Sequence, residues 1–223
     1  ELGFSSNFNR GSIPTMQGVA NSISREKHIT LDRIQYIAYE IICSSFLLNL
    51  IRESLDSQSS TESGFADSDE GFRDERTTFI KHKVEQKLKD LGAKEQLLMF
   101  VTGPAGAGKS TAIDVAQQFC FQFCKSMDIL WGDKTFLFTA ITGCAAALFG
   151  GVTLHSAAYL NSKSKNISEE MMRIWDQVGM LMMDEISFST EDQMEKLNAC
   201  LNLVLRKRSS GKEVLPPNMT FGG

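Results

Sequence analysis

The sequence contains nothing arranged for a zinc cluster or a disulfide framework. Its five cysteines (Cys43, Cys120, Cys124, Cys144 and Cys200) are odd in number and scattered, no C-x-x-C pair occurs, and the three histidines lie far apart. Cys120 and Cys124 are four residues apart on a predicted helix, where they share a face, and they read as reduced thiols in an apolar core. A surplus of positive charge is also missing. Lys and Arg number 23 against 27 Asp and Glu, a net charge of −4. That balance does not advertise nucleic-acid binding, although a groove can be locally basic on an acidic protein. No N-terminal secretory segment is visible. The apolar run Ile34 to Ile51 is interrupted by Gln35, Glu40 and Asn49, whereas a spanning helix needs about 20 nearly uncharged residues. It reads as a buried amphipathic helix. These absences predict a soluble intracellular protein in a reducing compartment, with no membrane partner.

What is present is an ordinary globular balance, 42% hydrophobic and 22% charged, which suits one or two domains. The start at Glu1 and the end Thr220-Phe221-Gly222-Gly223 predict a piece of a longer protein. Residues 1–29, rich in Ser, Asn and Gly, predict a flexible segment. Residues 30–54 predict a helical segment, with the helix from about Leu31 to Arg52. Residues 55–77 form an acidic stretch, with seven acids between Asp56 and Glu75. It is too poor in large apolar groups to offset chain ordering, and so predicts a disordered insertion.

Residues 78–223 read as an α/β domain. Ile80, Val84, Leu88 and Leu91 repeat at helical spacing before Gly92. Leu97 to Val101 is an apolar run that predicts a strand, followed by a helix from Lys109 to about Met127. Thr135 to Ile141 predicts the next strand, Glu169 to about Gln177 a helix, and Met180 to Met183 a buried strand. Thr190-Glu191-Asp192-Gln193 fits a capping box, and Met194, Leu197, Leu201 and Val204 continue as a helical stripe that ends at Arg206-Lys207-Arg208. Strands alternating with helices predict a parallel sheet covered on both faces.

The most informative segment is Gly103-Pro104-Ala105-Gly106-Ala107-Gly108-Lys109-Ser110, followed by Thr111. It matches G-x-x-x-x-G-K-[ST], a pattern that a chain of this length meets by accident about once in a hundred times. Glycines let the backbone turn tightly and present several N–H groups to phosphates. Lys109 is placed for the β- and γ-phosphates and the Ser110 hydroxyl for Mg²⁺, while the following helix points its N-terminus at the anion. ATP and Mg²⁺ are the expected cofactors. Phosphoryl transfer also needs a carboxylate for the metal and a group to orient the attacking water. Asp184 and Glu185 stand at the end of an apolar strand, where ligands bind in open α/β sheets. Asp184 is expected at the metal and Glu185 at the water.

Between these motifs lie Thr139-Ala140-Ile141-Thr142-Gly143-Cys144-Ala145-Ala146 and Gly150-Gly151-Val152-Thr153-Leu154-His155-Ser156. With the phosphate loop and Asp184-Glu185-Ile186-Ser187, they closely resemble the Pif-type and RecD-like DNA helicases of superfamily one, over roughly Leu97 to Gly223. The resemblance implies a RecA-like first motor domain, translocation along single-stranded DNA, 5′-to-3′ unwinding at duplex junctions, and genome maintenance (repair, recombination, telomeres) in the nucleus or mitochondrion if the source is eukaryotic. It implies that Thr142, Gly143, Thr153 and His155 lie near the DNA path. Hydroxyls, an imidazole and small residues with exposed N–H groups suit a phosphate backbone. Other readings stay open at this point: Gly143 as a plain turn residue, and His155 as a buried histidine satisfied by a carbonyl.

Leu31 to Ala38 is similar to the family's adenine-reading segment L-x-x-x-Q-x-x-A. A Gln35 amide can donate to and accept from adenine at once. Here, however, Gln35 precedes Gly103 by 68 residues, a longer gap than is usual, and a surface glutamine on an amphipathic helix is the alternative. In the resembled family, Phe-Gly-Gly leads into a Gly-Asp-x-x-Gln sensor. The chain as given stops at Gly223, so weak nucleotide binding and poor hydrolysis are expected of it alone. Two further functions remain in view: a P-loop ATPase of another group, separable by testing whether nucleic acid stimulates ATP hydrolysis, and a non-catalytic nucleotide-binding remnant of a mobile-element helicase, separable by the sequence downstream.

Overall fold

The computed structural model describes residues 13–58, 97–148, 150–158, 169–208 and 221, with the side chains of 51–58, 170 and 205–208 left aside. The chain divides into two compact units, residues 1–131 and 132–223. The predicted helix around Ile80 to Leu91 and all but the first residues of the acidic stretch lie outside the described residues.

In the first unit, α1 (Met16–Lys27) is a helix where a flexible segment was expected. Its start is fixed by Thr15, whose hydroxyl accepts from the Gly18 N–H at 3.0 Å. Val19 and Ile23, four apart, form its buried face. The Tyr39 hydroxyl donates to the Met16 carbonyl at 2.8 Å, tying α1 to the next helix. That helix, α2 (Arg33–Gln58), extends past the expected end near Arg52 into the beginning of the acidic stretch.

Next comes α3 (Lys109–Ser126), which packs against α2. Both helices bury apolar side chains: Tyr39, Ile42, Cys43 and Phe46 on α2, and Val115, Ala116, Phe119, Cys120 and Phe123 on α3. Tyr39 and Phe119 meet edge to face at 6.3 Å, a favourable geometry for aromatic quadrupoles. All five cysteines are free, and only Cys144 is exposed. Burial pushes the Cys124 thiol up to about 12 and Cys120 well above its ordinary range, so both are held as inert thiols.

Residues 97–101 do not form the expected strand. Leu98, Met99 and Phe100 are exposed there. The apolar run has the composition of a strand, but no described strand pairs with it.

The second unit holds a parallel sheet of three strands, β1 (Phe136–Ala140), β2 (Val152–Thr153) and β3 (Met180–Asp184), in the order β2-β1-β3. The crossovers are helical: α4 (Gly143–Leu148) and α5 (Leu154–Ala157) around β2, then α6 (Glu169–Trp175) before β3. A 3₁₀ turn (Ile186–Phe188) and α7 (Glu191–Arg208) follow. The α/β order and the parallel pairing agree with the sequence reading. Several details differ. Val152–Thr153 form a short strand, and Gly143–Leu148 and Leu154–Ala157 short helices, that no periodicity signalled, and β3 is half-buried rather than buried, because it is the edge of the described sheet.

Leu137, Leu154, Ala157, Met171, Trp175, Leu197, Cys200 and Val204 form one core, with Val152, Leu181 and Met183 packed against it. Trp175 Nε1 donates to the Ala157 carbonyl at 3.2 Å, so its buried N–H is satisfied. Gly151 lies directly on the backbone of Phe138, and a Cβ at that position would collide with the Phe138 carbonyl. This close approach explains the second glycine of the Gly150-Gly151 pair.

Leu154 is fully buried in this core and stands between Thr153 and His155. Leu154→Ala removes its packing and leaves a cavity. The expected cost is about 3 kcal/mol, read as a lower urea midpoint with an unchanged slope.

Candidate functional site

The phosphate loop is built against α2. Asp32 caps that helix: its Oδ1 accepts from the N–H groups of Ile34 at 2.8 Å and Gln35 at 2.9 Å. The Gln35 Oε1 in turn accepts from the Asp32 N–H at 2.9 Å, which closes a capping box. The other end of the amide, Nε2, donates to the Ala107 carbonyl at 3.0 Å. Gln35 therefore reaches the loop despite the long sequence gap, because α2 packs along α3. It is not a free surface glutamine. One N–H and one lone pair of its amide remain for another partner.

Gly108 is in the left-handed region, with φ 69, at the N-cap of α3. A Cβ there would also run into the Gln35 amide. Both facts require glycine at this point of the motif. No side chain caps the α3 N-terminus, and its first turn carries no acid. An 18-residue helix with its first N–H groups in that state suits an anion. Lys109 Nζ donates to the carbonyls of Gly103 at 3.0 Å and Pro104 at 3.1 Å, which holds the ammonium over the loop. Ser110 is exposed and Thr111 half-buried in the first turn of α3; Pro104, Ala105 and Gly106 are exposed in the loop before it. This donor set fits a phosphate chain.

In the second unit the register is informative. Ala140 pairs with Thr153 on one side and with Asp184 on the other. Thr153, Ala140 and Asp184 therefore form one row at the carboxyl ends of three parallel strands, with neighbouring strands about 4.8 Å apart. Thr142 and Gly143 follow Ala140 by two and three residues, His155 follows Thr153 by two, and Glu185 follows Asp184. One sheet end gathers all six residues singled out in this part of the sequence, at the edge where open α/β sheets place ligands.

Each of these residues has a local reason for its position. Thr142 Oγ1 accepts from the Ala145 N–H at 3.2 Å and caps α4. Thr153 Oγ1 accepts from the Ser156 N–H at 3.2 Å and caps α5. The Thr142 hydroxyl keeps a proton to donate outward, and the Thr153 hydroxyl also lies 3.0 Å from Ser156 Oγ, where either group can be the donor. Gly143 is exposed, and a Cβ there would meet nothing. It opens α4 rather than making a positive-φ turn, so the turn reading does not hold. His155 is half-buried, and its partner is the side-chain amide of Gln193, not a carbonyl.

Asp184 and Glu185 are exposed. Glu185 has φ 54, a left-handed conformation that costs a non-glycine residue about 1–3 kcal/mol, and its carbonyl accepts from the Phe188 N–H at 2.9 Å. No group of three or more His, Cys, Asp or Glu among the described residues could hold a metal by itself. The exposed Asp184 carboxylate in the second unit and the exposed Ser110 hydroxyl in the first are each a hard oxygen donor of the kind Mg²⁺ accepts. No described helix is long and apolar enough to cross a membrane.

Two features of the site were missed by sequence reasoning. Asp32-Arg33-Ile34-Gln35 fits the capping pattern D-x-x-Q and could have located the helix start. The pairing of Gln193 with His155 left no local sequence signal.

A family model described as PIF1-like helicase matches residues 74–223; Gln35 lies outside that span. The chain is similar to ATP-dependent DNA helicase PIF1 of Saccharomyces cerevisiae (strain YJM789), 31% identical over 109 residues, covering 45% of this chain and 12% of that protein. It is similar to ATP-dependent DNA helicase RRM3 of Saccharomyces cerevisiae (strain ATCC 204508 / S288c), 27% identical over 122 residues, covering 51% of this chain and 16% of that one. Uncharacterized protein 030L of Invertebrate iridescent virus 6 is 28% identical over 120 residues, 48% of this chain and 21% of that one. The matched part is thus about an eighth to a fifth of the length of these relatives. No solved structure matches the chain.

Proposed function

Because the chain belongs to the PIF1-like helicase family and carries its RecA-like α/β fold, we propose that it is the first motor domain of an ATP-dependent DNA helicase. In this reading the protein couples ATP hydrolysis to 5′-to-3′ movement on single-stranded DNA and opens duplex junctions. The observation that carries it is the row Thr153–Ala140–Asp184. The acidic pair and the hydroxyl and imidazole donors share one end of one sheet, so phosphoryl chemistry and a nucleic-acid backbone are served from adjacent strands.

The roles follow from the groups. The loop from Gly103 to Thr111 holds the phosphates through backbone N–H groups, and Lys109 supplies the mobile positive charge. Gln35 faces the adenine with the unused half of its amide. Ser110 and Asp184 are the residues that would hold Mg²⁺, which would neutralise charge on the phosphoryl oxygens. Glu185 accepts the proton of the attacking water. Thr142, Gly143, Thr153 and His155 meet the DNA backbone, where a missing Cβ at Gly143 allows close approach. In this reading the work belongs to genome maintenance (repair, recombination, telomeres), in the nucleus or mitochondrion if the source is eukaryotic; the likeness to the two yeast helicases supports it.

Direction is tested with partial duplexes carrying a single-stranded tail at one end. The whole protein is expected to displace the strand from a 5′-tailed substrate, in the presence of ATP and Mg²⁺, and to leave a 3′-tailed one intact. Displacement from the 3′-tailed substrate alone would overturn the assigned polarity.

A further inference from the structure

Gln193 is the third residue of α7 and closes a second capping box. The Thr190 N–H donates to Gln193 Oε1 at 2.9 Å, and the Gln193 N–H donates to Thr190 Oγ1 at 3.3 Å. This fixes which way the amide faces. Turned over, its NH₂ would meet the Thr190 N–H, donor against donor. The NH₂ end therefore points away from the cap, and it lies 3.3 Å from Nε2 of His155, 38 residues earlier in the chain. An amide nitrogen only donates, so the ring nitrogen facing it must accept and carries no proton. In a neutral imidazole the proton is then on Nδ1. His155 Nδ1 has no hydrogen-bond partner among the described residues.

We infer that Gln193 is a positioning residue for His155: its capped amide holds the imidazole in the Nδ1–H tautomer and leaves Nδ1–H as the donor offered to a DNA phosphate. The second half of this inference rests on the reading that His155 lies on the DNA path; the first half does not. Gln35 shows the same device in the other unit, where a capping-box amide fixed at its oxygen aims its nitrogen at the phosphate loop. In both places a helix cap, itself a local feature, sets the direction of a long-range donor.

The test reads the tautomer directly. The chain is labelled with ¹⁵N-histidine, and His155 is assigned by replacing His28 and His82 in turn. Spectra are taken at about pH 8, above the ordinary imidazole range near 6.5. Unmodified chain is expected to show an unprotonated Nε2 and a protonated Nδ1. Gln193→Glu keeps the cap, because a carboxylate at this position still accepts the Thr190 N–H, but it presents His155 with an acceptor. The proton is expected to move to Nε2 while helical circular dichroism stays unchanged. A protonated Nε2 in the unmodified chain, or an unchanged tautomer in Gln193→Glu, overturns the inference.

Binding of a fluorescent oligothymidine at fixed salt provides the second readout. His155→Ala is expected to weaken it about tenfold, the worth of one hydrogen bond to a charged group. Gln193→Ala is expected to weaken it several-fold, in proportion to the molecules left in the competent tautomer. A loss with His155→Ala but none with Gln193→Ala overturns the positioning role and leaves the DNA reading intact. No loss with His155→Ala overturns the DNA half, while the tautomer result stands or falls on the spectra alone.

Discussion

Lys109→Ala is expected to lower ATP hydrolysis by the whole protein at least about a hundredfold, the scale on which single electrostatic stabilisers of a transition state act. The side chain is half-buried, and its Nζ contacts are the Gly103 and Pro104 carbonyls of its own loop. Removing it leaves no core cavity: Val115, Ala116 and Phe119, which pack α3, are untouched. The loss is therefore expected in phosphate release, with the thermal midpoint nearly unchanged. Two measurements on one preparation, hydrolysis and thermal unfolding, separate a chemical role from a folding role. A midpoint that falls with activity would place Lys109 in the fold rather than in the chemistry.

Glu185→Gln is expected to have an effect of similar size by a different route. The substitution keeps the shape and one acceptor oxygen and removes the ability to take a proton. Loss of a positioned general base costs about a hundred- to ten-thousandfold. The residue is exposed and its left-handed backbone is shared by both side chains, so stability is expected to change little. ATP binding is expected to persist, which makes this variant a trap: nucleotide held, product not formed. Equilibrium binding of a fluorescent ATP analogue, set beside single-turnover hydrolysis, checks both halves. Normal turnover in Glu185→Gln would show that another group handles the water.

The parts of the site that were legible in the sequence are those whose chemistry is contiguous. The phosphate loop is eight consecutive residues whose glycines, lysine and serine each have a stated task, and a Cβ on Gly108 would run into the Gln35 amide. The strands from Phe136 and Met180 and the helices from Glu169 and Glu191 were legible because each is long enough to show its pattern. Elements that depend on a partner were harder to read. Val152–Thr153 is a strand because Thr139 and Ala140 pair with it; two residues carry no periodicity. Leu97 to Val101 shows the converse, an apolar composition without a strand.

The helix Met16–Lys27 was missed because its apolar content is small. Val19 and Ile23 suffice once the Thr15 cap and the Tyr39 hydroxyl hold it. Gln35 and Gln193 mark the same limit within the site. Their caps are readable in four consecutive residues, but their second partners, Ala107 and His155, lie 72 and 38 residues away and were supplied only by the fold.

A DNA motor hydrolyses ATP as a consequence of holding DNA, so the most direct measurement is the steady-state ATPase rate of the whole protein with and without single-stranded DNA. The rate is expected to rise several-fold as DNA saturates, to fall back as salt releases the DNA, and to lose its DNA dependence when Thr142 and His155 are both replaced by Ala. A rate that is substantial without DNA and indifferent to its addition would contradict a DNA motor and leave a nucleotide hydrolase with some other partner.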